Sequence, residues 1–373
     1  MALFRMPYLR NEARLVRSLV VFSWLATFSP GVTLAQESVG SNSSGVVYGV
    51  DDRLDWYASP DANFRSIARD SIVAIVETVA IDPGDANSNF PPFSSGVPSL
   101  SEYSFQSSGF PLCAGERFAT QPTAASCSGT LIAPNLVVSA GHCFPDQAAC
   151  DAVSLVFDYF YALDGVPEAI GSDDIYRCSR IVARKYQTSP HLDFSVIELD
   201  RDVVDRVPAR IRTEESPLPL GTGLVVLGFG TGLPLKIDAG GQVTNPGTSA
   251  LDTFDANTDT FAGNSGSGIF DDSGQLVGIL VTGDVDYVDD GSCVSVNEVP
   301  NSPGHETAVY AFQATDELCR NEPDLELCAG TPIGRNQGRC SNCTAGAATP
   351  TLPGVAFVLA AAAVLASRRR RAR

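Results

Sequence analysis

Three short segments carry side chains that together could cleave a peptide bond. His142 closes a segment of small residues, SAGHC, and could act as a base. Asp193 opens an apolar strand, where a carboxylate is costly unless it is hydrogen-bonded, and could orient that base. Ser265 lies among glycines, which permit a tight turn that exposes its hydroxyl and aims backbone N–H groups at one point. Peptide hydrolysis needs such a nucleophile, base and orienting group, together with donors for the oxyanion.

Two cysteines enclose the candidate base. Cys127 and Cys143 flank a predicted hairpin that ends beside His142. A disulfide between them would pin the histidine, and closing a loop of this length contributes about 3 kcal/mol in the chain-entropy model. Cys150–Cys178 and Cys319–Cys328 are further plausible pairs, although spacing alone does not determine the connectivity.

Other polar residues favour structural roles. His191 enters a strand and His305 follows a Pro-Gly loop, so we expect both on the surface. Gly228–Gly232 resembles a dinucleotide loop only faintly, because Pro234 prevents the helix that such a loop must open. Four aspartates have a spacing that fits a solvated turn better than any standard calcium loop: Asp284, Asp286, Asp289 and Asp290. We therefore predict no metal and no cofactor.

The middle of the chain has the pattern of β structure. Apolar alternation and β-branched runs recur between turn residues, and no long amphipathic helix or solenoid repeat is evident. The predicted strands are 71–79, 128–132, 136–139, 154–161, 181–183, 194–199, 224–228, 268–270, 275–281 and 308–312. Many short strands over this length favour barrels or a sandwich, with Arg201–Pro219 as the internal boundary.

Composition excludes several classes of protein. The 373 residues hold 25 Lys+Arg and 43 Asp+Glu, a net charge of −18, which repels phosphate backbones, so we expect no nucleic-acid binding. Charged residues at 18%, with 33 Gly and 24 Pro, argue against coiled coils and helical bundles. Ten cysteines are unusual for a reducing compartment and indicate export.

Both ends of the chain have the composition of targeting signals. Basic residues precede an apolar stretch and small residues near Ala35, which predicts a secretory signal cleaved about there. Near the other end, Cys340-Ser341-Asn342-Cys343 precedes an apolar run from Leu352 to Ala366 and an arginine cluster. The last thirty or so residues resemble the C-terminal sorting signals of myxobacterial surface proteins. That resemblance implies membrane retention before processing.

With these residues in view, the chain resembles a trypsin-like, chymotrypsin-fold serine protease of the bacterial V8-like, glutamyl-endopeptidase branch. The motifs are SAGHC around His142, LDFSVIEL around Asp193 and GNSGSG around Ser265, in the order usual for that family. The resemblance spans about residues 47–315. It implies an all-β fold of two antiparallel six-stranded β-barrels, with the active site in the cleft between them.

The resemblance also implies individual roles. Ser265 would attack the scissile carbonyl. His142 would take the proton of Ser265 and later deliver it to the leaving amine, and Asp193 would fix the tautomer of His142. The backbone N–H groups of Gly263 and Ser265 would form the oxyanion hole.

Three departures from animal trypsins concern activation and specificity. Asn264 stands where trypsins carry the aspartate that pairs with a new N-terminus. Asp259 aligns with the trypsin specificity aspartate, but the V8-like branch often has Asp-Thr-Phe there, so basic specificity does not follow. The strand Leu276–Gly283 lacks the histidine of glutamate-specific members. Thr282 and Ala308, with Asp259, are the predicted specificity-pocket residues.

The predicted organisation is a signal peptide (1–35), an N-terminal extension or pro-segment (36–70), a first barrel (71–200), a linker (201–219), a second barrel (220–315), a cysteine-containing spacer (316–343) and a sorting tail (344–373). We expect a monomeric secreted or cell-surface endopeptidase that acts on proteins or peptides and meets the membrane only through its tail before processing. The alternative is a catalytically silent, protease-like surface binding protein.

Overall fold

The computed structural model describes residues 46–85, 87–103, 109–188, 191–301 and 303–329. The predicted signal peptide, most of the linker after it and the sorting tail lie outside these residues, as does much of the cysteine-containing spacer. Across the described ranges, no helix has the length and apolar character needed to cross a bilayer.

Three α-helices and twenty strands form within these ranges. The helices are α1 (Ala62–Ser71), α2 (Gln147–Ala152) and α3 (Ala311–Asn321). The strands are β1 (Val47–Tyr48), β2 (Leu54–Asp55), β3 (Ile72–Glu77), β4 (Ala125–Ala133), β5 (Leu136–Ser139), β6 (Val153–Val156), β7 (Tyr161–Leu163), β8 (Val166–Pro167), β9 (Ile175–Thr188), β10 (His191–Leu199), β11 (Arg210–Ile211), β12 (Gly223–Gly228), β13 (Lys236–Asn245), β14 (Thr253–Ala256), β15 (Gly268–Asp271), β16 (Gln275–Thr282), β17 (Tyr287–Asp289), β18 (Val294–Val296), β19 (Glu298–Val299) and β20 (Glu306–Tyr310).

The first barrel is a closed ring of six strands in the order β10-β5-β4-β3-β6-β9. Every neighbouring pair in it is antiparallel. Closure leaves no unpaired sheet edge, so the backbone polar groups of these apolar strands are bonded within the ring.

The second barrel is a ring of β16-β15-β12-β13-β14-β20, closed by the pairing of β16 with β20. Strand β11 adds to β16 in parallel, and β2 adds to β13. The predicted all-β fold, two antiparallel six-stranded barrels of the chymotrypsin type, is thereby confirmed.

The apolar core divides in the same way. One buried cluster lies among first-barrel residues and includes Val73, Leu131 and Ile197. Another lies among second-barrel residues and includes Phe254 and Ile269. The largest cluster takes residues from both barrels and from α1 and α3, so the barrels share one continuous apolar contact.

Residues 46–70, the described part of the predicted N-terminal extension, are packed onto the barrels. Helix α1 begins after Asp61, whose side chain accepts the N–H groups of Asn63 and Phe64. Its buried face contains Phe64 and Ala68, one turn apart. Strand β1 pairs in parallel with β19.

The predicted strand 308–312 is partly wrong. Strand β20 ends at Tyr310, and the chain enters α3 at Ala311. The buried residues of α3 recur at helical spacing, Ala311, Ala314, Thr315 and Leu318, so the apolar run serves a strand and then a helix.

Four disulfides join the described cysteines: Cys113–Cys293, Cys127–Cys143, Cys150–Cys178 and Cys319–Cys328. Bonds of this kind persist in oxidising compartments, so their number fits an extracellular protein.

Tyr159 links the two barrels. Its ring is 1% exposed and stacks on Phe229 with centroids 5.7 Å apart. Its hydroxyl oxygen lies 2.8 Å from the carbonyl oxygen of Pro122 and 3.1 Å from that of Gly232, and it accepts the N–H of Ala124 at 3.3 Å. Since Phe229 and Gly232 follow β12, this phenol orients the second barrel against the first.

Tyr159→Phe should lower the free energy of unfolding by about 1–2 kcal/mol, because buried carbonyls lose their donor. Tyr161→Phe is the matched control. Tyr161 is half-buried and its hydroxyl makes no hydrogen bond to another described residue, so we expect almost no change in the free energy of unfolding. Urea denaturation of both variants measures the difference. Equal losses would mean that the Tyr159 hydroxyl adds nothing to the barrel contact.

Candidate active site

The carboxylate of Asp193 holds His142 at two points. Asp193 Oδ1 accepts the backbone N–H of His142 at 2.9 Å, and Asp193 Oδ2 lies 2.7 Å from His142 Nδ1. An ionised carboxylate can only accept, so this contact fits the tautomer with the proton on Nδ1, which in a neutral ring leaves Nε2 as an acceptor. The Asp193 side chain is 7% exposed and that of His142 is 34% exposed, so the imidazole reaches solvent while the carboxylate is buried.

Strand pairing brings these residues together. Asp193 is the third residue of β10, which pairs directly with β5, and His142 follows β5 in a one-turn 3₁₀ helix, Gly141–Cys143. A Cβ at position 141 would overlap the carbonyl oxygen of Lys185 and lie 2.8 Å from that of Phe194. The small residue before the histidine is therefore required by close backbone approach.

Ser265 lies in the turn between β14 and β15, and this turn contacts the first barrel at Ser128. The carbonyl oxygen of Ser265 accepts the N–H of Ser128 at 2.8 Å and lies 3.8 Å from the sulfur of Cys143, the neighbour of His142. The structure thus brings the Ser265 turn beside the histidine. The Ser265 hydroxyl makes no hydrogen bond to another described residue.

Two backbone N–H groups of this turn have no hydrogen-bond partner among the described residues. Neither Gly263 nor Ser265 donates its N–H to another residue in the described ranges. Gly263 has φ +97°, and a Cβ there would lie 2.6 Å from the carbonyl oxygen of Phe229. The carbonyl of Gly263 accepts the hydroxyl of Ser128 at 2.8 Å, and that hydroxyl accepts the N–H of Phe229 at 3.1 Å.

Ser128 was not predicted from the sequence. It lies in β4 next to the disulfide-bonded Cys127, is 0% exposed, and contacts both Gly263 and Ser265. A buried hydroxyl needs hydrogen-bond partners, so a serine in an apolar strand was the only indication in the sequence that this residue has a structural role. Its partners lie about 135 residues away in the chain, so the sequence does not reveal them.

Asn264 faces inward. Its side chain is 5% exposed, and its amide oxygen accepts the hydroxyl of Ser267 at 3.2 Å. A neutral amide at this position cannot form the ion pair with a charged amine that a carboxylate would form.

The three predicted pocket residues occupy different environments. Asp259 is buried and accepts the N–H groups of Tyr48 at 2.7 Å and Asp52 at 3.3 Å. Thr282 is half-buried at the end of β16, and Ala308 is fully buried within the second-barrel core. Their role in specificity stays a prediction.

Two further carboxylates near this turn are buried. Glu306 is 0% exposed and accepts the hydroxyl of Thr260 and the N–H of Asp284, and burial raises its pKa well above the ordinary value. Asp286 accepts the N–H of Ala262 at 2.8 Å, while its Oδ1 atom is buried with no hydrogen-bond partner. The solvated turn predicted for Asp286 is wrong, because the residue is only 9% exposed.

Asp286 should make stability depend on pH. Burial raises its pKa to about 8, against the opposing effects of the Ala262 N–H and the charge of Arg53. The folded carboxyl therefore binds a proton that the unfolded one releases, so the free energy of unfolding falls as pH rises from about 4 to about 8.

Asp286→Asn should flatten this dependence by up to about 1.4 kcal/mol per pH unit. Denaturant titrations at several pH values measure it, with the exposed Asp202→Asn as the control. Parallel curves for the wild type and Asp286→Asn would show that Asp286 does not titrate in this way.

Comparison with known proteins finds a family model that matches part of the chain. A comparison with curated proteins finds no match. Among solved structures, the chain is similar to a Glu endopeptidase in complex with MPD at 20% identity, covering 74% of this chain and 98% of that one, with a TM-score of 0.43. It is also similar to the Vibrio cholerae VesB protease at 16% identity, covering 69% and 65%, with a TM-score of 0.41. Both scores are below 0.5, so the fold assignment rests on the strand pairings above. Residues 127–279, which contain His142, Asp193 and Ser265, match the family model of the trypsin-like peptidase domain.

Proposed function

We propose that the protein is a serine endopeptidase that acts through Ser265, His142 and Asp193. The observation that carries the proposal is the pair of contacts that Asp193 makes with the backbone N–H and the Nδ1 atom of His142. They lie beside a turn in which the N–H groups of Gly263 and Ser265 have no partner among the described residues. A matched peptidase domain over the same residues supports the same reaction class.

The proposed reaction proceeds through an acyl-enzyme intermediate. His142 Nε2 removes the proton of Ser265 as Oγ attacks the scissile carbonyl carbon, and the resulting oxyanion receives the N–H groups of Gly263 and Ser265. The C–N bond then breaks, and the same proton passes from Nε2 to the departing amine. Water, deprotonated by His142, attacks the acyl-enzyme and releases the carboxylate product together with free Ser265. Asp193 stabilises the imidazolium in each half of the reaction.

We also propose that the protein works outside the cytoplasm, on proteins or peptides. Four disulfides support an oxidising location. A net charge of −18 disfavours polyanionic partners. The proposed route is export by the N-terminal signal, with the C-terminal tail as a temporary membrane anchor.

A fluorophosphonate probe tests the nucleophile. The purified protein should take up the probe and degrade casein, and Ser265→Ala should abolish both, because only an activated serine attacks phosphorus at a useful rate. Ser66→Ala, a change at an exposed helix residue, is the control and should label normally. A folded wild-type protein that neither labels nor cleaves would favour the silent binding protein instead.

Ser128 should act as a positioning residue. Ser128→Ala removes the hydroxyl that holds the carbonyl of Gly263, so kcat should fall about 10-fold with KM little changed, less than the 10²–10³ lost with an oxyanion donor itself. Ser126→Ala is the matched control. Ser126 lies on the exposed side of the same strand, and its hydroxyl donates a hydrogen bond to the backbone carbonyl of Ile75. Steady-state kinetics with a peptide substrate separate the outcomes. An effect on KM alone would contradict this role.

A further inference from the structure

Three aspartates from distant parts of the chain converge outside the catalytic residues. Asp52, Asp238 and Asp259 each offer a carboxylate oxygen, and these oxygens all lie within 4.8 Å of one another. Asp52 belongs to the N-terminal segment, Asp238 to β13, and Asp259 to the segment that leads to Ser265. We call these three residues the carboxylate cluster.

One oxygen of the cluster has no partner. Asp238 is 3% exposed; its Oδ2 accepts the N–H of Asp259 at 2.8 Å, but its Oδ1 is buried without a hydrogen bond. The hydroxyl of Thr258, next to Asp259 in the chain, is also buried without a partner. Buried polar atoms of this kind are rare in folded proteins, and each points to a missing donor or ion.

The neighbouring cations are already engaged. Arg53 binds Asp51 through two nitrogens, each at 2.8 Å, and Arg117 binds the same carboxylate at 2.8 Å. Lys236 Nζ lies 2.8 Å from Asp55 Oδ1. Within the described ranges, no Lys or Arg is within ion-pair distance of the carboxylate cluster. These three carboxylates therefore form no salt bridge with a described residue, although the charge of Arg53 acts on Asp259 from a greater distance.

Two members of the cluster, Asp238 and Asp259, border a small cavity. A cavity of about 10 Å³, near the volume that one water-sized particle requires, is lined by these two aspartates together with Arg53, Lys236 and Asn264. Carboxylates within 4.8 Å of one another repel each other, and a bound cation would offset that cost.

We propose that the carboxylate cluster binds a calcium ion that fastens Asp52 to the second barrel. Three carboxylates in irregular array suit Ca²⁺, which accepts six to eight oxygens flexibly, better than Mg²⁺, which demands near-octahedral geometry. The absence of His and Cys from the cluster argues against zinc. Extracellular calcium sites typically have Kd values of about 10⁻⁴–10⁻³ M, and we expect a value in or somewhat below that range.

The ion would act on the Ser265 turn through the chain. The carboxylate of Asp259 already accepts the N–H groups of Tyr48 and Asp52, and Asp259 precedes Ser265 by only six residues. A calcium ion at Asp259 would hold the N-terminal segment against the base of this turn. The binding itself does not depend on the proposed peptidase activity.

Calorimetry with the full purified chain tests the site. Ser265→Ala protein, stripped with EDTA, prevents self-digestion and should bind one Ca²⁺, with Mg²⁺ much weaker. Its melting temperature should rise by about 3–6 °C at ten times Kd. In the same background, Asp52→Asn and Asp238→Asn should each weaken binding at least about 10-fold, whereas the exposed Asp202→Asn should bind normally.

The proposal is overturned if the parent protein takes up no Ca²⁺ at about 10 mM, roughly ten times the weakest Kd expected. It is equally overturned if Asp52→Asn binds like the parent, since the ion would then lie elsewhere. Asp52 is exposed, so this variant decides the question even if Asp238→Asn fails to fold. Fluorophosphonate labelling of the wild-type chain is read separately, so failure of the site and failure of the peptidase activity remain distinct.

Discussion

The candidate site depends on the hydrogen bonds that stabilise one buried carboxylate, that of Asp193. Asp193 would be costly in an apolar strand, and it is stabilised because His142 gives it a backbone N–H and a ring N–H together. Those two bonds need β5 beside β10 and a residue without a side chain at position 141. The same contacts that make the carboxylate tolerable also fix the orientation of the imidazole.

The site is assembled across two barrels, so contacts between the barrels determine its precision. Ser128 is the closest of these, since its backbone and hydroxyl hold both Ser265 and Gly263 from the first-barrel side. Tyr159 acts farther away, where its ring and hydroxyl meet the loop after β12. Small shifts between the barrels would move Ser265 relative to His142. The buried hydrogen bonds of Ser128 and Tyr159 at the contact between the barrels resist such shifts.

The predictable parts are those encoded locally. Short motifs around His142, Asp193 and Ser265 could be recognised because the proposed chemistry restricts residue types over a few positions. Strand alternation indicated barrels or a sandwich, and the family resemblance implied two barrels. The role of Ser128 and the carboxylate cluster could not be recognised, because Ser128 is 135 residues from Gly263 and Asp52 is 207 residues from Asp259 along the chain. Helix α3 was missed because its apolar run continues directly from β20, and the two periods overlap there.

The most direct test of this account is a proton NMR spectrum of the ¹⁵N-labelled protein in water. We expect one histidine ring N–H resonance, far downfield of the backbone amides and protected from exchange, that persists in His191→Gln and His305→Gln but is lost in Asp193→Ala. Absence of this resonance from the folded wild-type protein, or its persistence in Asp193→Ala, would contradict the claim that Asp193 holds and orients His142.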